Sequence, residues 1–62
     1  MTELELIRKN IRTEMNDLAD FLSTGGALDY PTYRHIVGKI EGLAVAERYV
    51  LDLEEKLLRA DI

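Results

Sequence analysis

Ile36, Leu43, Val50 and Leu57 recur at a strict interval of seven residues, and Val37, Ala44, Leu51 and Leu58 repeat that interval one position later. Seven residues bring an α-helix back to nearly the same face, so two adjacent columns define one long helix with a wide apolar face. The face is broader than the seam of a two-stranded coiled coil. Any fold of this chain has to cover it.

This helix is predicted over about residues 30–60. Asp29 precedes it with a carboxylate suited to the N-cap, and Pro31 is tolerated in a first turn, where its missing N–H needs no partner. Asp52/Lys56 and Glu55/Arg59 are acid-then-base pairs at i,i+4, the favourable order. Upstream, Leu4, Ile7, Ile11, Met15, Leu18 and Leu22 are separated by three or four residues, which is the stripe of a second helix over about residues 2–24. Thr2 and Glu5 have the spacing of a capping box, and Glu3 and Glu5 sit at the positive end of the helix dipole. Gly25 or Gly26 supplies a left-handed helix end. The loop is then about residues 25–29, short enough to make the helices antiparallel neighbours. The expected fold class is all-α: a single domain over residues 1–62, an antiparallel helical hairpin that oligomerises into a helix bundle.

Composition narrows the function. At 62 residues, a lone core is marginal and a staple or a partner is the usual remedy. The absence of Cys removes disulfides, thiolate metal sites and Cys nucleophiles. A net charge of −4 disfavours nucleic acid and anionic membrane surfaces, both of which attract basic chains. No apolar run reaches the length of a membrane span, and the start, Met1 to Glu5, is acidic where a signal peptide is basic. A soluble, intracellular, helical chain is expected.

Folding about the loop centre places Leu22 near Thr32 and Leu4 near Val50. Residues beyond about Leu51 then lack a partner, and this overhang carries Leu53, Leu57, Leu58 and Ile62. Each fully buried Leu contributes about 1.5–3 kcal/mol, a strong drive to associate. Gly38 and Gly42 lie inside the second helix, where each costs about 1 kcal/mol relative to Ala. They are either surface drift that locally weakens the helix or, with Ala46, a line of small residues that a neighbouring helix, from the same chain or another, can approach closely. The expected interface is Gly38, Gly42, Leu43, Ala46, Val50, Leu53, Leu57 and Leu58, filled by further copies of the chain or by a larger protein assembly.

Glu47 falls on the apolar face of the second helix and is expected to pair with Arg8 or Arg12, fixing register at a cost in stability. Asp20 and Arg34 are expected to clip the helices near the turn, and Glu5 offers Lys9 a partner. Phe21, Leu28, Tyr30 and Tyr33 gather at the hairpin tip, where they either close the core or meet a partner. Glu14, Asp17 and Asp20 form an acidic row on one helix, and Arg8, Lys9 and Arg12 a small basic patch. His35 has no second His for a metal pair. No phosphate loop, nucleophile elbow or Ser–His–acid set is spaced for use. Neither an enzyme nor a metal or cofactor is expected.

Tyr33-Arg34-His35-Ile36-Val37-Gly38-Lys39-Ile40-Glu41-Gly42-Leu43 resembles a stretch found in short tailed-bacteriophage proteins, Y-R-x-x-V-G-x-I-x-G-L after an acidic-aromatic turn. The resemblance covers about residues 29–58. It implies a phage accessory or virion-associated protein of the head-assembly region, located in the cytoplasm of a bacterial host or in the virion, and brings no catalytic residues. Two readings follow: a structural hairpin that oligomerises or docks on a phage assembly, and a small regulator that inhibits a host protein with its acidic row. RNA binding by a dimer through Arg8, Lys9 and Arg12 ranks third.

Overall fold

The computed structural model describes residues 2–60. Helix α1 runs Glu3–Ser23 and helix α2 runs Tyr30–Ala60. The two pack side by side as an antiparallel hairpin.

Local chemistry sets each end. The Glu5 N–H donates to Thr2 Oγ1 at 3.1 Å, the forward half of the predicted capping box. At the other end of α1 the Gly25 N–H reaches the Leu22 carbonyl at 3.2 Å and the Gly26 N–H the Phe21 carbonyl at 2.8 Å. These two bonds form a Schellman motif. It requires a left-handed residue, and Gly25 takes that place with φ +79°. Gly26 answers a different need: a Cβ there would lie 2.5 Å from Phe21 Cδ2, because the Phe21 ring folds over the turn. Asp29 caps α2 by accepting the Thr32 N–H on Oδ1 at 2.8 Å.

The register differs from the expected one. Arg12 pairs with Glu47 and Arg8 with Glu54. Leu4 and Glu5 share a cleft with Glu54, Leu57 and Leu58. Ser23 lies 11 residues beyond Arg12, whereas Tyr30 lies 17 residues before Glu47. The first turns of α2 therefore project past the end of α1 by roughly 9 Å at 1.5 Å per residue. The loop carries the chain onward before reversing it, so the pairing is centred near Tyr30 and not on the loop. Leu57 consequently has α1 beside it, and the overhang moves to the hairpin tip. Ile62 lies outside the described residues.

Two other expectations fail for the same reason. Asp20 and Arg34 form no ion pair among the described residues. Nor does the tip close a core: Leu28 is 92% exposed, and Phe21, Tyr30 and Tyr33 are also exposed. Tyr30 and Tyr33 stack loosely on each other, ring centroids 6.3 Å apart. Of the i,i+4 pairs, Glu55–Arg59 closes at 2.6 Å, while Glu5–Lys9 and Asp52–Lys56 do not close.

Met15 is the one buried apolar side chain among the described residues. A two-helix layer has no third element to seal its sides, so every other apolar residue keeps some contact with solvent.

Candidate protein interface

The face of α2 turned to α1 carries Ile36, Ile40, Leu43, Glu47, Val50 and Glu54, all half-buried and three or four residues apart. Its centre is ionic. Glu47 accepts from Arg12 Nε at 2.9 Å and Nη2 at 2.6 Å, a bidentate fork. Glu54 accepts from Arg8 Nε at 2.9 Å, and this bond holds the Arg8 pKa above its ordinary value. Of the two partners foreseen for Glu47, the structure selects Arg12. It gives Arg8 a partner that the sequence reading missed. Glu54 lies one heptad beyond Glu47, and that spacing was the available signal.

The basic patch is thus largely committed inside the molecule. Arg8, Lys9 and Arg12 line an open groove of ≈ 470 Å³ with Thr13, Glu47 and Leu51, but both guanidiniums already face carboxylates. Glu14, Asp17 and Asp20 are exposed and enter no ion pair among the described residues. His35 is exposed. Among the described residues no three His, Cys, Asp or Glu side chains gather as a metal site requires.

The eight expected interface residues fall into two sets. Leu43 and Val50 belong to the face turned to α1. Gly38, Gly42, Leu53, Leu57 and Leu58 are exposed, and Ala46 is half-buried beside them. A Cβ added at Gly38 or Gly42 would meet nothing within 4 Å. The small-residue line is therefore not where α1 approaches.

Helical geometry puts Gly38, Gly42, Val45, Ala46, Tyr49 and Leu53 on one outward stripe of α2, between roughly a fifth of a turn (Ala46) and half a turn (Val45) away from the centre of the α1-facing side. Val45 is 53% exposed, Tyr49 69% and Leu53 45%. Val45 and Tyr49 were absent from the expected interface. Their steps of three and four from Gly42 to Leu53 are legible in the sequence, but the stronger seven-residue columns lie on the other side of the helix.

Measured as area, the exposure is large. A 7.1 kDa chain folded to ordinary compactness exposes about 4,100 Å². This chain exposes 4916 Å². The surplus, about 800 Å², equals one partner's share of a standard protein–protein interface. No helix among the described residues is long and apolar enough to cross a membrane.

Comparison with known proteins finds no match among family models, curated proteins or solved structures.

Proposed function

We propose that this chain is a non-enzymatic structural or interaction protein, a helical hairpin whose work is to oligomerise or to dock on a larger assembly through α2. The surplus of exposed surface carries the reading. Apolar side chains that a single hairpin cannot cover are stabilised by burial against protein, and the C-terminal half of α2 presents Val45, Tyr49, Leu51, Leu53, Leu57 and Leu58. The bacteriophage-like stretch over residues 29–58 gives the setting, a phage particle or its assembly.

Far-UV circular dichroism with light scattering, over a thousandfold range of concentration, tests the need for company. The expected result is helicity that rises with association, or a poorly helical monomer that awaits its partner. A monomer that unfolds cooperatively, with a midpoint independent of concentration, overturns the reading. Mass spectrometry of purified particles tests the setting. The chain is expected in the particle. Recovery from infected-cell lysate alone would transfer the assignment to the host-directed regulator, whose supporting observation is the exposed acidic row of Glu14, Asp17 and Asp20.

A further inference from the structure

Resting on the reading above, we infer that the partner is a second copy of this chain, bound α2 to α2 in antiparallel orientation about a two-fold axis that passes between Val45 and Ala46.

The outward stripe is complementary to itself in that arrangement. With the axis between Val45 and Ala46, Gly38 of one protomer comes level with Leu53 of the other. Gly42 comes level with Tyr49, and Val45 with Ala46. A small residue therefore comes level with a large one at the Gly38–Leu53 and Gly42–Tyr49 steps, which lets the helices approach closely while each of these bulky side chains finds a recess. The empty space over Gly38 and Gly42 receives Leu53 and Tyr49. Glu41 falls almost level with Arg48 of the other protomer on the flank of the same stripe. Two-fold symmetry makes that pairing twice. A shift of four residues one way brings Arg48 to within one residue of level with its own copy, a like-charge contact. A shift of four the other way still sets Gly38 against Tyr49 and Gly42 against Val45, but it leaves the last turn of each α2 without the other helix beside it, so charge and overlap together select the register.

The axis also lies at the middle of α2, whose 31 residues run from 30 to 60. The two helices overlap along their whole length, and no apolar end is left projecting. The surplus of about 800 Å² per chain matches what each half of a standard dimer buries. The hairpin tip, with Leu28, Tyr30 and Tyr33 exposed, offers apolar anchors too, but nothing in its spacing or charge selects an occupant.

Cysteine cross-linking tests the arrangement, and the absence of cysteine from the chain gives it no background. Ala46→Cys places two thiols beside the axis, within the Cα separation of about 4.4–6.8 Å that a disulfide spans. Mild oxidation is expected to convert most of this variant to covalent dimer. Gly38→Cys, by contrast, puts its two thiols 15 residues out of step, about 22 Å along the helix, and is expected to stay uncrosslinked. Cross-linking of both variants means parallel pairing and overturns the proposal. Cross-linking of neither also overturns it. If light scattering then still shows a dimer, or shows a poorly helical monomer, the wider interaction reading survives. A second variant guards against a misleading scaffold effect. Gly42→Leu fills the recess for Tyr49 while improving helix propensity. It is expected to weaken self-association at least tenfold, with helicity per chain retained at high concentration. Unchanged association of Gly42→Leu would likewise overturn the proposal.

Discussion

Two arginines and two glutamates do more to orient this hairpin than any apolar contact. Among the described residues only Met15 is buried, so the apolar seam alone tolerates sliding. The Arg12–Glu47 fork and the Arg8–Glu54 bond fix one register, because a slip of one turn would leave half-buried carboxylates without donors. Arg12→Ala is therefore expected to cost about 1 kcal/mol in urea unfolding: the pair is partly exposed, but Glu47 has only 15% of its side chain in water. A cost indistinguishable from zero would reduce the fork to surface decoration. Glu47→Leu is the converse case. It is expected to raise stability while broadening the distribution of oligomers, and a single unchanged oligomer by light scattering would remove its role in register. Glu47 was legible because a charge on an apolar face asks for a partner. Glu54 was not, since it stands in an ordinary charged run, Glu54-Glu55-Lys56. Gly25 is the other residue fixed by local physics. Its φ of +79° is strained for any side chain, so Gly25→Ala is expected to lower stability by about 1 kcal/mol, read as a fall in thermal midpoint.

At the scale of the helices, what could be read and what could not divide by the range of the forces. The ends came out within a residue of expectation because caps are contacts between near neighbours: Thr2 with Glu5, Asp29 with Thr32, the glycine pair with the last turn of α1. The relative register did not. It depends on the path of residues 24–29, which have no periodicity to reveal how far the chain travels before it turns. Six extra residues of α2 at the tip followed, and with them the exposure of Leu28, Tyr30 and Tyr33. The start of α2 rests on Asp29, and its pH response has a definite sign. The Thr32 N–H, by bonding the carboxylate, holds the Asp29 pKa below its ordinary value. A depressed folded-state pKa means that the cap stabilises above the unfolded carboxyl range, near pH 4, and that this contribution is lost as pH falls through the folded value. Asp29→Asn keeps an acceptor that does not titrate. The stability difference between the parent chain and Asp29→Asn is thus expected to shrink on acidification from pH 6 to pH 2. A difference constant over that range would show that Asp29 does not act as a charged cap.

The whole molecule is a rod, and its shape makes the sharpest demand. Its Cα radius of gyration is 14.8 Å and its extents are 51 × 18 × 13 Å, whereas a compact domain of this length has a radius of about 10.5 Å. A rod of two helices maximises exposed side per residue, which is why the area exceeds that of a compact fold. Lateral pairing of two rods about the middle of α2 doubles the thickness and leaves the length alone. End-to-end joining through the exposed tip would instead nearly double the length. Small-angle X-ray scattering separates these outcomes. The antiparallel pair is expected to show twice the monomer mass with a maximum dimension still close to that of one hairpin, and a cross-section near twice its 13–18 Å. A particle of doubled mass and about 100 Å length would place the contact at the tip residues Leu28 and Tyr30 and leave the glycine stripe facing solvent.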